Sequence, residues 1–514
     1  MSSTLFAQGV AALRAGDIAG AERMLLAVVE RDAGVHEAWH VLSMAAIRAG
    51  LPDVAVARAQ RAVELDRRNA DYLNSLGIAH SANQDLRAAE QAFRRAVKIR
   101  PAYAEAHYNL AKVLRLAGEL DEALAEYQRA HALEPRAVFA QLGLAAVHRL
   151  RGRPDLALNV LRAEGAPDDD IIPYRAECLA DVEGPQAAVS WLRELLAREP
   201  QNRQAHHILG VLLLSTGDWR EGWPHFLWRA HGDPQRMHER PDPLPERLDS
   251  RRVFLRAEEG IGDILFYLRF ADALRARGAS LVLECPPHMA KLGPLLAGRV
   301  AIGTRESADI AVWIADLPAL LEVDGPAAPF PLRADEESRA RARERLASLG
   351  PPPYLALNWR AGTDMRRARE LGAERAGLRL VYKEIAPELL GGAVRGWRGT
   401  LVSLQRGLLP RELDAVSAAA GARVHDLAEA TDELGETLAF LESFDEHVAV
   451  INTNMHLLAG LGRPARVLVP RPIDWRWMRA GESPWFPGFP VYRQPPSLDW
   501  SETMARLRSD LSAA

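Results

Sequence analysis

The sequence repeats itself at a spacing of 34 residues, and that period constrains the fold of its first part more than any other feature. Small residues stand at Ala21, Ala55, Ala89 and Ala123. A second register holds Val28, Ala62, Ala96 and Ala130, and a third holds Gly9, Ser43, Gly77 and Ala111. Phe93 and Tyr127 share one aromatic slot, and Pro101 and Pro135 close successive units. Each period has room for two antiparallel helices. Small residues let the helices approach, the aromatic ring fills the gap, and proline stops the second helix. One such unit cannot bury its apolar face alone, so units stack into a superhelix with a concave groove.

That period and those residue types resemble the tetratricopeptide repeat over residues 1–137. Leu142, Leu144 and Ala157 continue the pattern, and the phase is expected to be lost between Arg162 and Asp170. A further pair is expected over 171–202, ending at Pro200. A last unit runs from His206 to Trp228 with Gly210, Gly222 and Phe226 in the expected slots. Its second helix carries Trp219, Trp223 and Trp228, rings expected to pack against the next domain. A groove of this kind takes an extended peptide or a protein, and a plain spacer is the competing reading. Asp168-Asp169-Asp170 formally fits an acid-x-acid metal motif, but it sits in a polar connection and reads as a solvated helix start.

At 514 residues the chain exceeds a single core, so several domains are expected. A net charge of -4 gives no global basic field for nucleic acid or an anionic membrane. Cys178 and Cys285 are far apart and lack CxxC spacing, which argues against a disulfide framework or a zinc module and fits a reducing cytoplasm. The opening residues carry no charged region followed by a long apolar run, so neither a secretion signal nor a membrane span is expected.

Residues 231–252 hold Pro234, Pro241, Pro243 and Pro245 among many charges and read as a linker. After it the periodicity changes. Strands are expected at 253–257, 281–285, 300–303 and 310–314, with a helix from Ile264 to Ala276. A charged helix, Arg333 to Leu349, then precedes strands at 354–358, 400–405, 423–426, 447–451 and 466–469. Alternating strands and helices argue parallel sheets with Rossmann-like winding.

Three stretches carry chemistry. In Val448–Gly462 an apolar strand runs into Asn452, Thr453, Asn454 and His456 and then a helix. Polar side chains at the carboxyl end of a strand and the start of a helix suit an anion, because helix amides and the dipole favour negative charge there. Capping alone would need one such residue, and four are present. Second, Gly260-Ile261-Gly262-Asp263 follows the strand at 253–257. Leu265 occupies the place of a third glycine, which argues against a dinucleotide site. Asp263 reads equally as a helix cap and as a general base. Third, Lys383 lies beside an apolar segment, 378–385, and Arg360 follows the strand at 354–358. Both are candidate phosphate-binding cations. Trp475 and Trp477 either stack on a base or sugar or brace the fold; Trp485 and Phe486 read as braces.

Two Rossmann-like units with a crevice between them resemble the GT-B fold of glycosyltransferases. Gly260–Asp263 resembles the glycine–aspartate turn of heptosyltransferase-like enzymes (glycosyltransferase family 9). Asn452–His456 with Leu458-Ala459-Gly460 is similar to that family's D-T-x-x-x-H-L-A-G motif, although Asn452 stands where the family has aspartate and the step from threonine to histidine is one residue shorter. Val402–Gln405 and the stretches Asp474–Trp477 and Ser483–Phe486 resemble bacterial proteins that join tetratricopeptide repeats to such a domain. The resemblance implies an α superhelix of repeats (1–230), a linker (231–252), and an α/β GT-B fold of two Rossmann-like domains (253–345 and 346–514). It implies a metal-independent transferase without a cofactor, its substrate a nucleotide-sugar, and a protein acceptor, flagellin or another surface protein, recruited by the repeats in the cytoplasm. Asp263 would be the catalytic base. Gly260, Gly262, Arg360, Lys383, Gln405, Asn452, Thr453, Asn454 and His456 would hold the donor. A non-catalytic repeat scaffold and a lipopolysaccharide-core transferase are the alternative readings.

Overall fold

The computed structural model describes residues 2–162, 169–229, 241–257, 260–284, 292–296, 298–361, 383–408 and 411–513. Linker residues 231–240, Asp168, Glu258 and Glu259, Cys285 and the segment 378–382, all singled out in the sequence, lie outside them. The described residues fall into two compact units, one ending at Cys178 and the other beginning at Leu179.

The first unit is built of helix pairs. First helices open at Ser2, His36, Ala70, Ala104 and Val138, and second helices at Ile18, Pro52, Leu86, Leu120 and Pro154. Each start follows its predecessor by 34 residues, so the sequence period is the structural period. Ala21, Ala55, Ala89 and Ala123 are each 0% exposed, which identifies that register as the seam between paired helices. At Gly77 the reason for a small residue is direct: a Cβ would stand 2.5 Å from the Phe93 ring. Asp17, Asn69 and Asp85 cap their helices by accepting hydrogen bonds from backbone amides of the first turn. The expected loss of phase at 162–170 is corrected. The next helix, Ile172–Val182, opens 34 residues after Val138. The phase shifts only afterwards, at Pro185.

The second unit begins with helices Pro185–Arg198, Arg203–Thr216 and Trp219–Phe226. A sheet follows, built from β1 (Arg252–Arg256), β2 (Ser280–Leu283), β3 (Ala301–Ile302) and β4 (Ile310–Trp313). Its strands are all parallel, in the order β3-β2-β1-β4. Between β1 and β2 the expected single helix is Ile261–Tyr267, a 3-10 turn Leu268–Phe270 and Ala271–Ala276.

The next strands are β5 (Tyr354–Asn358), a short antiparallel ribbon of β6 (Arg360–Ala361) and β7 (Lys383–Glu384), then β8 (Thr400–Ser403), β9 (Val424–Asp426), β10 (Glu446–Val450), β11 (Arg466–Val469) and β12 (Val491–Arg493). Six of these form a second parallel sheet in the order β12-β11-β10-β5-β8-β9. β8 is buried along its whole length and β5 and β10 along all but the first residue, as expected for strands covered on both faces.

Strand order reverses beside β1 in the first sheet, with β2 on one side and β4 on the other, and between β5 and β10 in the second. Crevices in parallel sheets open at the carboxyl ends of strands flanking such a reversal. The turn Gly260–Asp263 follows β1, Asn452–His456 follows β10, and Arg360 follows β5.

A cluster of rings fills the second unit. Trp223 meets Trp475 edge-on at 5.2 Å, Phe266 meets Trp485 at 5.4 Å, and Trp477 stacks on Phe486 at 4.2 Å. Trp475, Trp477, Trp485 and Phe486 are all buried, so all four brace the core and none is free to stack on a base. The ring contacts also tie the last helices of the repeat region to the sheets. Helices 185–226 cluster with the sheets rather than ending the repeat unit at residue 230, because Trp219 and Trp223 pack in the sheet core. The helix Glu336–Leu349 packs on helix Leu434–Ser443, with Arg339 paired to Glu442 at 3.0 Å. It therefore sits beside a helix of the second sheet.

Candidate functional site

The site is assembled from loops at the carboxyl ends of β1, β10 and β11, with the β6–β7 ribbon beside them. Gly260 caps the helix Ile261–Tyr267 and places Asp263 in its first turn. Gly262 packs against the helix that follows β10. A Cβ there would meet His456 Cδ2 at 2.9 Å and Thr453 Cα at 3.4 Å. The amino ends of helices Ile261–Tyr267 and Thr453–Leu461 therefore touch, and a Cβ at 262 would press on the His456 ring.

Arg476 ties the two sheets' loops together electrostatically. Its Nη2 donates to Asp263 Oδ1 at 2.7 Å, and its Nη1 lies 3.2 Å from Asp474 Oδ2. Lys383 Nζ stands 3.8 Å from the same Asp474 oxygen. Burial works to raise the Asp474 carboxyl, but Arg476 and Lys383 outweigh it and hold Asp474 below the ordinary carboxylate range. The group is thus two carboxylates and two cations.

His456 adds a neutral imidazole. Burial, reinforced by the charges of Arg476 and Arg269, holds it well below the ordinary histidine value. The ring is half-buried, yet Nδ1 is sealed from solvent without a hydrogen-bond partner. Next to it, Asn452 caps the helix by accepting from the Asn454 amide at 3.0 Å. Asn454 donates its side-chain amide to Asn358 Oδ1 at 3.3 Å. The amino end of helix Thr453–Leu461 adds a positive dipole end beside this group, with the Asn454 and Met455 amides taken up by Asn452.

The structure thus brings together Gly260, Gly262, Asp263, Lys383, Asn452, Thr453, Asn454 and His456. Two expectations are corrected. Arg360 is not a spare cation: Nη2 pairs with Glu412 at 2.8 Å and donates to the Gly407 carbonyl at 2.9 Å. Gln405 does not line a pocket. It is 3% exposed, its Oε1 accepts from the Trp359 and Arg360 amides at 3.1 and 2.9 Å, and its Nε2 donates to the Arg406 carbonyl. It secures the chain as it leaves β5. Sequence reasoning missed Arg476 and Asp474. The available signal was two opposite charges, two residues apart, after the strand neighbouring β10.

In the first unit the first helices of successive pairs line a cavity of about 350 Å³. His40, Met44, Asp71, Asn74, Ile78 and Tyr103 contribute to it. Asn109 donates to Asn74 Oδ1 at 3.0 Å, which fixes the Asn74 amide in the wall. Among the described residues no three acidic, histidine or cysteine side chains group as a metal site, and no helix is long and apolar enough to cross a membrane.

The chain therefore combines stacked helix pairs with two parallel sheets whose loops meet at a group of charged side chains. Residues 6–137 are tetratricopeptide repeats: the family model matches over 6–70, 40–104 and 74–137. Among solved structures, the chain is similar to MamA (28% identity over 30% of this chain and 89% of that one, TM-score 0.28). It is also similar to a tetratricopeptide repeat protein of Parabacteroides merdae (15% identity, 44% and 90% covered, TM-score 0.35). A third similar structure is pilF of Pseudomonas aeruginosa (18% identity, 40% and 94% covered, TM-score 0.34). No curated protein matches the chain.

Proposed function

We propose that this chain is a glycosyltransferase of GT-B architecture that moves a sugar from a nucleotide-sugar to an acceptor, a protein recruited by the repeats in the cytoplasm. One observation carries the reading: Asp263 from the first sheet pairs with Arg476, which shares Asp474 with Lys383, while the neighbouring Gly262 packs on the amino end of helix Thr453–Leu461. Transfer at an anomeric carbon needs a base on one side and stabilisation of a departing diphosphate on the other. Asp263 takes the proton of the attacking hydroxyl. Lys383, Arg476 and the positive end of helix Thr453–Leu461 carry the charge that develops on the leaving diphosphate. The new bond joins acceptor oxygen to the anomeric carbon as the bond to the phosphate oxygen breaks.

The non-catalytic scaffold is favoured by one feature: Asp263 and Arg476 neutralise each other. A thermal-shift screen of the full chain against nucleotides and nucleotide-sugars separates the two. Ligand at about 100 times its dissociation constant stabilises the folded form by roughly 2.7 kcal/mol. A shift with one nucleotide class, lost in Lys383→Ala, is the expected result. A flat panel from folded protein overturns the transferase reading.

A further inference from the structure

At the reversal between β5 and β10, a buried polar relay runs toward the helix that opens with Thr453. His447 on β10 is 2% exposed and Asn358 at the end of β5 is 3% exposed. His447 Nε2 lies 3.1 Å from Asn358 Oδ1, and Asn454 Nδ2 lies 3.3 Å from the same oxygen. One acceptor thus takes two N–H donors.

The chemistry fixes the direction of this relay. Burial pushes His447 down to about 3, so its ring carries a single proton. With that proton on Nε2, the sealed and unpartnered Nδ1 is a bare lone pair. Reversing the relay would flip both asparagine amides and move the proton to Nδ1. That leaves a buried N–H with no acceptor, a costlier defect than an unused acceptor. Asn454 therefore keeps its NH2 group toward Asn358 and turns Oδ1 to the other side. Among the described residues no donor reaches that oxygen.

An amide oxygen repels phosphate and accepts from a hydroxyl. We infer that Asn454 is a specificity-determining residue that reads a hydroxyl of the donor, on the ribose or on the transferred sugar, while His447 and Asn358 position it. The inference rests on the nucleotide-sugar reading of the site. It separates the roles at this helix: the positive dipole end and the nearby cations take the diphosphate, and Asn454 takes the O–H beside it.

Calorimetric titration of the full chain tests it. The probes are the UDP, GDP and ADP series, each as the diphosphate, its 2′,3′-dideoxy counterpart and a hexose conjugate. Asn454→Ala should bind the hydroxyl-bearing ligand roughly 3- to 10-fold more weakly, the loss of one neutral hydrogen bond, with the dideoxy form unchanged. If the diphosphate itself is affected, the hydroxyl is on the ribose. If only the conjugate is affected, it is on the sugar. His447→Phe keeps Asn454 but frees its amide to turn, so hydroxyl discrimination should fall toward that of Asn454→Ala, with dideoxy binding unchanged. An Asn454→Ala variant that matches the parent on every ligand, or is weaker by one factor on all of them, overturns the inference alone. A parent chain that binds no probe overturns the nucleotide-sugar reading and this inference with it.

Discussion

Asp263 and Arg476 form an ion pair at 2.7 Å although 213 positions separate them in the chain. The Asp263 side chain is 29% exposed, while Asp474, the second partner of Arg476, is 15% exposed. The two carboxylates therefore differ in what their loss should do. Asp263→Asn removes a solvent-reached base and should lower kcat by about 10²- to 10⁴-fold, with the donor KM unchanged and stability altered by less than about 1 kcal/mol. Arg476→Gln strips the more deeply placed Asp474 of its nearer cation and should destabilise the second unit as well, by up to about 3 kcal/mol. Transfer assays beside urea titrations read both. Equal stability loss in the two variants would contradict this division of roles.

Lys383 and Arg360 stand on adjoining strands of one ribbon, yet only Lys383 faces the charged group. Arg360 is held by Glu412 and the Gly407 carbonyl. Lys383→Ala should cost on the order of 10²-fold in transfer rate, as for loss of one transition-state donor. Arg360→Ala should leave the rate within a few-fold and lower the melting temperature instead, because it removes the ion pair with Glu412 and the hydrogen bond to the Gly407 carbonyl. Measured on one substrate pair, a larger rate loss for Arg360→Ala would reverse the assignment.

The repeat half could be read from sequence because its signal is local: one period sets helix length, pairing and the small-residue seam together. The pair expected over 171–202 was placed, but its keeping the 34-residue phase at Ile172 was not, because the segment before it lacks the small and aromatic slots that mark the phase. The parallel strands were readable for a similar reason, as short apolar runs ending in polar turns. β12 was not, since Val491–Arg493 is three residues between Pro490 and Pro495. Gln405 shows the limit for site residues. A polar side chain at the end of a strand looks the same whether it meets a ligand or ties down two backbone amides. Arg476 was hidden differently: it lies in a single 3-10 turn, Trp475–Trp477, and its partner Asp263 belongs to another sheet.

The seam of the repeats makes a sharp prediction at Gly77. A Cβ there would sit 2.5 Å from the Phe93 ring, within a buried cluster that can shift little. Gly77→Val should destabilise the first unit by about 1–3 kcal/mol or more despite the better helix propensity of valine. Pairing it with Phe93→Leu should restore part of the loss. Additive destabilisation in chemical unfolding would show that the ring does not set the constraint.

Stability should also fall in mild acid. His40, His148, His425, His447 and His456 are all held below the ordinary histidine value, with burial the leading cause in each. For such a group the unfolded chain takes up a proton near pH 6.5 that the folded chain refuses. Stability present above that pH is therefore lost as pH falls toward the folded value. His447, pushed from 6.5 to about 3, alone should cost the fold about 2 kcal/mol by pH 5, since one pH unit corresponds to roughly 1.4 kcal/mol. Urea midpoints at pH 7.5 and pH 5 measure the loss, and His447→Phe should remove its own share of it. A midpoint that rises on acidification would mean that these rings are charged in the folded protein, and the single-proton relay from His447 to Asn454 would fall with that result.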